Sequence, residues 1–220
     1  MTVRLVLPVK SLRTGKTRLS PVLTPAQRVQ VVEALIVHVI EQAAVFPGLD
    51  NTWIVSACDE VRTLADKFGM RTLDEPKPGL NRALQSARCV VRASRDDRML
   101  VVPCDLPLLT AEDLRCLADG ASAGAMCIAP DRAGEGTNGL CLSADVDFEF
   151  AFGPGSYLKH CAIASNLQLD VVEVRRPGLA FDIDTPDDFL AMRQLVGRPD
   201  ASRGTIGRTN MARAFPAVNG

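Results

Sequence analysis

The sequence lacks the marks of a membrane protein, of a nucleic-acid binder and of a disulfide-framed domain. No apolar stretch is long enough to span a bilayer, and the apolar run between Met1 and Pro8 is too short for a signal peptide. Lys and Arg number 25 against 26 Asp and Glu, with no basic run and no interleaved aromatic stripe, which argues against a nucleic-acid polymer as partner. There are only two histidines, His38 and His160, and neither has a partner at ligand spacing, so both are expected to be structural or surface residues, with His160 the one placed near a site. Seven cysteines (58, 89, 104, 116, 127, 141 and 161) form no C-x-x-C pair. Reduced, buried thiols in a cytoplasmic protein are expected, with neither disulfide nor zinc, and packing is the expected role of Cys104. No internal repeat is present.

What the chain does have is alternating strand and helix signals. Its 220 residues are enough for one domain, expected over 1–197, followed by a flexible tail over 198–220 in which arginines are scattered without apolar periodicity. Short β-like runs stand at 4–9, 53–57, 71–73, 99–103, 125–129, 139–142 and 169–174. Between them, Thr24-Pro25-Ala26-Gln27 offers a capping box with proline in the first turn, and Val29, Val32, Leu35, Ile36, Val39, Ile40 and Ala43 follow as one apolar stripe. Further helices are predicted over 59–68, 80–91, from Thr110, over 156–164, and from Thr185 to about Val196. This pattern predicts an α/β fold: a mainly parallel sheet with helices on both faces and some antiparallel pairing late in the chain. Ligands bind such sheets beyond the carboxyl ends of the strands, where Lys10 and Asp105 would lie.

Three acids dominate the chemistry. Asp105 ends the run Val101-Val102-Pro103-Cys104, and Asp182 and Asp184 flank Ile183 in Phe181-Asp182-Ile183-Asp184-Thr185-Pro186. If 181–184 is a strand, both carboxylates share one face while Phe181 and Ile183 turn inward. Desolvated carboxylates need a positive partner, and a divalent cation serving phosphate chemistry is the simplest one. Asp187 and Asp188 read as first-turn acids of the last helix.

The loop after the first strand, Lys10 to Arg18, carries four cations and Gly15, and suits triphosphate oxygens. Gly15-Lys16-Thr17 also matches the end of a P-loop, but the full motif needs glycine where Lys10 stands. Phe152-Gly153-Pro154-Gly155-Ser156 opens a helix and offers an anion site with Ser156 as cap or donor, while Thr137, in the separate loop Gly134 to Gly139, is placed to donate to a second anion, which favours two phosphorylated ligands. Gly79 permits close backbone approach, and Asn81 can meet a base or ribose.

Taken in order, Pro8-Val9-Lys10 with Lys16-Thr17-Arg18-Leu19, Gly79-Leu80-Asn81, Asp105-Leu106-Pro107-Leu108, Ala129-Pro130-Asp131-Arg132 with Gly136-Thr137-Asn138, Phe152 to Ser156, and Asp182 to Pro186 resemble the phospholactate/phosphoenolpyruvate guanylyltransferases of coenzyme F-420 biosynthesis. The likeness spans about Leu5 to Val196. It implies a Rossmann-like α/β/α nucleotidyltransferase fold of the nucleotide-diphospho-sugar transferase kind. It also implies transfer of GMP from GTP to the phosphate of a three-carbon acid (phosphoenolpyruvate, 2-phospho-L-lactate or 3-phospho-D-glycerate) with release of pyrophosphate.

Carried onto matching positions, Asp105, Asp182 and Asp184 would hold Mg²⁺, or Mn²⁺. Thr137, Gly153 and Ser156 would bind the acid, Lys10, Lys16 and Arg18 would face the GTP phosphates, and Gly79 and Asn81 would lie near the nucleoside. Asp105, Lys16 and Arg18 would carry the catalytic charge. Family members are often dimers, which makes a homodimer an expectation. The rival readings are another nucleotidyltransferase, acting on a sugar phosphate or molybdopterin, a GTP-hydrolysing protein, and a GTP-binding regulator.

Overall fold

A computed structural model describes residues 2–74, 79–92, 97–122, 124–196 and 214–215. Pro76 and Pro78, and the predicted tail apart from Ala214 and Phe215, lie outside them. Seven strands form: β1 (Val3–Pro8), β2 (Thr52–Val55), β3 (Arg71–Leu73), β4 (Arg98–Val101), β5 (Ala125–Pro130), β6 (Thr137–Ser143) and β7 (Asp170–Glu173). The helices are α1 (Pro25–Val45), α2 (Asp59–Lys67), α3 (Leu80–Val91), α4 (Ala111–Gly120), α5 (Ser156–Asn166), α6 (Pro177–Ala180) and α7 (Pro186–Val196). The short α6 and two 3-10 turns, Thr17–Leu19 and Leu49–Asn51, went unpredicted because pieces of three or four residues show no apolar period.

Local chemistry explains the helix starts. Thr24 Oγ1 accepts from the Gln27 amide (3.3 Å) while the Thr24 amide donates to Gln27 Oε1 (2.9 Å), the reciprocal cap the sequence predicts. Thr110 and Asp113 do the same for α4.

One sheet holds all seven strands in the order β3-β2-β1-β4-β6-β5-β7. Every pairing is parallel except β4–β6 and β5–β6, so β6 alone runs against the rest. Side chains alternate across it: Leu5 and Leu7 pack with α1, α2 and α4 residues such as Ile40, Leu64 and Leu117, while Val6 packs with Leu84 of α3 and Ala164 of α5. The result is the predicted three-layer α/β/α fold. Strand order turns back between β1 and β4, which opens a crevice beyond their carboxyl ends.

Two expectations need correction. Phe181 to Asp184 forms no strand. It is an extended link from α6 to α7, fixed by the Ile183 amide donating to the Asp105 carbonyl (3.2 Å). Ile183 is nevertheless fully buried, while the two aspartates flanking it are not. The thiols are less uniformly buried than predicted: Cys104, Cys127 and Cys141 are buried, Cys89 is exposed, and the rest lie between; all seven are free.

At the tail, Ala214 and Phe215 are buried rather than loose. They pack with Leu19, Leu35, Ile183, Phe189 and Met192, and the Phe215 ring lies 5.2 Å from that of Phe189.

Candidate active site

The crevice between β1 and β4 holds an open cavity of about 320 Å³. The loop after β1 brings Lys10, Gly15, Lys16 and Arg18 to it, the segment after β4 brings Asp105, and the link before α7 brings Asp184. Lys16 Nζ lies 2.7 Å from Asp105 Oδ2 and 2.7 Å from Asp184 Oδ1. The two carboxylate oxygens are therefore at most twice that distance apart, although 79 residues separate them in the chain. Arg18, mostly exposed, stands 3.8 Å from the other oxygen of Asp184.

The backbone is bent to make this contact. Lys16 has φ of 54°, a left-handed conformation rare outside glycine and held only where surroundings over-determine it. Gly15 precedes it because a Cβ there would sit 2.9 Å from the Ser11 carbonyl oxygen. The Arg13 and Thr14 amides both donate to Ser11 Oγ, so part of the backbone expected to wrap phosphates is committed within the loop. The likeness to a P-loop ends here: Gly15-Lys16-Thr17 leads into a three-residue 3-10 turn, not the helix whose N-terminus would hold phosphate.

Charge is unevenly shared among the acids. Burial works against the Lys16 ammonium, but Asp105 and Asp184 outweigh it and raise its pKa, keeping it charged. The Asp182 carboxyl is pushed up to about 6, first by burial and then by the neighbouring Asp105 and Asp184. Burial, aided by the Asp105 charge, raises the Cys104 thiol, which rules against a thiolate nucleophile.

Among the described residues no three Asp, Glu, His or Cys side chains close a preformed metal cage. The donor set still fits Mg²⁺ or Mn²⁺. It is all oxygen, and Mg²⁺ usually takes one or two carboxylates and completes its shell with water and substrate phosphate. Asp105 and Asp184, which already share one cation, fit that pattern better than the full trio.

A second constellation stands at the start of α5. Ser156 Oγ lies 3.2 Å from Thr137 Oγ1, and Thr137 Oγ1 lies 3.0 Å from His160 Nδ1. Gly153, with φ of 128°, has nothing within 4 Å of where a Cβ would stand. The Ser156 and Tyr157 amides donate to the carbonyls of Gly153 and Glu135, so the expected row of bare helix-start amides is partly filled. Asn138 Nδ2 is buried without a partner, a donor that a ligand oxygen could satisfy.

Gly79 is free to take φ of 137° at the start of α3. Asn81 is committed elsewhere: its amide accepts from the Phe152 N–H (2.8 Å) and donates to the Phe152 carbonyl (3.1 Å), fastening the α3 start to the 152–156 loop.

Sequence reasoning missed what Asp188 does beside the site. Asp188 Oδ2 accepts from the amides of Asp184 (3.1 Å) and Thr185 (2.8 Å) and from the Thr185 hydroxyl, while Arg132 pairs with its other oxygen. Burial opposes its charge, but the Thr185 and Arg132 contacts hold its pKa below the ordinary value. The Thr185-x-x-Asp188 spacing carried that signal. His160 was expected near the site, but its pairing with Thr137 depends on the third dimension.

Comparison with known proteins decides the family. The profile described as guanylyl transferase CofC-like matches residues 3–203. The chain belongs to the CofC-like guanylyl transferase family. A phosphoenolpyruvate guanylyltransferase of Sphaerobacter thermophilus is 37% identical over 207 residues, covering 93% of this chain and all of that one. One from Chloroflexus aggregans is 37% identical over 186 residues, covering 83% and 92%. Among solved structures, a Desulfovibrio desulfuricans G20 protein of nucleotide-diphospho-sugar transferase type aligns with a TM-score of 0.77 at 13% identity, covering 98% and 99%. A CMP:2-keto-3-deoxy-manno-octonic acid synthetase complexed with CTP aligns at 0.60 and 14%, covering 89% and 98%. At such identities the structural likeness establishes the nucleotidyltransferase fold alone, whereas the sequence relatives establish CofC-like membership.

Proposed function

We propose that the protein transfers GMP from GTP to the phosphate of phosphoenolpyruvate and releases pyrophosphate, as a step of coenzyme F-420 biosynthesis. The names of the CofC-like relatives support the substrate pair. The observation that carries the chemistry is Lys16, bridging Asp105 and Asp184 at 2.7 Å in the β1–β4 crevice. A site that concentrates cations around two convergent carboxylates suits a metal-bound triphosphate.

The acceptor phosphate is ionised at neutral pH and needs no general base. One of its oxygens attacks the α-phosphorus of GTP, the bond to the bridging oxygen breaks, and that oxygen leaves with the pyrophosphate charge. Catalysis is then positioning plus charge neutralisation. Lys10, Lys16 and Arg18 face the triphosphate, with Lys16 and Arg18 placed to stabilise the leaving group. Asp105 and Asp184 hold Mg²⁺, with Asp182 close by. An ion held by these residues would supply charge neutralisation at the phosphoryl oxygens. Thr137, Gly153 and Ser156 receive the acid, and Gly79 borders the nucleoside.

Pyrophosphate release tests this, with GTP and each of phosphoenolpyruvate, 2-phospho-L-lactate and 3-phospho-D-glycerate, followed by the product mass. Phosphoenolpyruvate is expected to be the best acceptor, EDTA to abolish release, and Asp184→Asn to lower turnover by at least about two orders of magnitude in a folded protein. Formation of GDP and phosphate without any acid would point to hydrolysis instead. Unimpaired turnover by Asp184→Asn under saturating Mg²⁺ would reject the metal assignment.

A further inference from the structure

His160 is fully buried, with its ring against Phe152 (4.8 Å between centroids) and Phe148 (5.7 Å). Both ring nitrogens are engaged. Nε2 lies 3.0 Å from the Ala151 amide nitrogen, and a backbone N–H can only donate, so Nε2 is the bare acceptor. Burial, helped by the charge of Lys159, lowers the ring's pKa to about 4, which leaves it neutral with its one hydrogen on Nδ1. That hydrogen points to Thr137 Oγ1 at 3.0 Å.

A hydrogen count then fixes the polarity of the neighbouring hydroxyls. Thr137 and Ser156 own two hydroxyl hydrogens and share one bond, at 3.2 Å. With Nδ1–H donating into Thr137, one hydrogen suffices for the internal bond and the other is left for a ligand. Were the proton on Nε2 instead, Thr137 would donate to Nδ1, Ser156 would donate to Thr137, and lone pairs alone would face the ligand. An anion is bound by the first arrangement and repelled by the second.

The backbone supports the same role. A β-bulge at Pro130↔Thr137, which leaves Asn138 as the unpaired extra residue, sets the Thr137 end of β6 beside α5. Thr137, Ser156 and His160 are each at least nine-tenths buried, so water competes poorly for the free hydrogen.

We infer that His160 is a positioning residue for the acceptor acid: as the neutral Nδ1–H tautomer it makes the Thr137–Ser156 pair a hydrogen donor toward an anionic oxygen of that substrate. This rests on Thr137 and Ser156 forming the acid subsite, as proposed above.

Two measurements test it. In protein labelled with ¹⁵N-histidine, long-range ¹H–¹⁵N correlations report each ring's tautomer. One of the two rings, assigned to His160 by its loss in His160→Phe or His160→Asn, is expected to be neutral and protonated at Nδ1 from pH 8 to pH 5. An Nε2–H tautomer or an ordinary histidine titration overturns the wiring, whether or not the protein is active.

In steady-state kinetics, His160→Phe keeps an aromatic ring but removes both bonds. The two hydroxyls still own a spare hydrogen, but nothing then blocks the Thr137 lone pair and aims that hydrogen at the ligand, so the KM for phosphoenolpyruvate is expected to rise about 2- to 10-fold while the KM for GTP stays within about twofold. His160→Asn, whose side-chain amide mimics Nδ1–H, should recover most of that loss. Thr137→Val, which removes the hydroxyl itself, should lose at least as much as His160→Phe, and the double variant should be no worse than Thr137→Val alone, because His160 acts only through that hydroxyl. Equal rises in both KM values, no rescue by asparagine, or losses that multiply in the double variant would refute the role. Absence of acid-dependent pyrophosphate release in the wild type would refute the functional reading and with it the substrate role, while the tautomer would still decide the wiring.

Discussion

Asp184 accepts the Lys16 ammonium, whereas Asp182, two residues earlier, stands outside that bridge and has its carboxyl pushed up to about 6. The sequence treats the two acids as equals, because the Asp-Ile-Asp spacing says that they flank a buried residue but not which one meets a cation. A carboxyl whose folded pKa lies above its ordinary value of 3.8 adds stability below that value and loses it as pH rises toward 6. Above pH 6 the ionised Asp182 therefore works against the fold. Asp182→Asn is expected to raise Tm at pH 7.5 by about 2–4 °C in metal-free buffer, the equivalent of ~1 kcal/mol after discounting for partial exposure. The gain should vanish by about pH 4. Thermal melts of the two proteins at both pH values check this; equal Tm at pH 7.5 would show that neither burial nor repulsion penalises the charge.

At the scale of elements, helix starts and strand runs were legible because they depend on neighbours in the chain. The Thr24 box, the helix start at Thr110, the α3 span 80–91 and β3 at 71–73 follow from local spacing and apolar runs. The link before α7 was misread as a strand because alternating burial needs only an extended backbone, and a strand also needs a hydrogen-bonded neighbour. Asp187 and Asp188 looked alike in sequence, yet Asp187 is exposed and Asp188 is buried beneath the Asp184 and Thr185 amides. Asp188→Ala is expected to lower Tm by about 4–8 °C, the scale of a lost cap worth up to ~2 kcal/mol, and to weaken GTP turnover by loosening Asp184. Asp187→Ala should change stability by less than about 0.5 kcal/mol. Parallel melts and turnover assays of both variants separate these outcomes, and matching behaviour would remove Asp188 from the site's support.

Across the whole molecule, the apolar cluster around Leu19, Ile183 and Phe215 joins three distant parts of the chain behind the cavity. Leu19 follows Arg18, Ile183 separates the two aspartates, and Phe215 comes from a segment that reads as a loose tail for want of periodicity. Phe215→Ala is expected to cost about 3 kcal/mol or more, roughly 6–12 °C in Tm, and to raise the KM for GTP, since the cluster backs the loop that carries Lys16. An unchanged melt would mean that this anchor contributes nothing in solution. The amino-acid sequence by itself determined the α/β alternation, the helix caps, the acids and basic loop that make up the candidate site, and the family, because each is written in residue type and short spacing. Only the tertiary structure decided that Lys16 meets Asp105 and Asp184 together, that Asn81 holds Phe152, and that His160 pairs with Thr137. Those contacts span from 23 to 168 positions of chain and exist only once the sheet and its flanking helices bring the strand ends together.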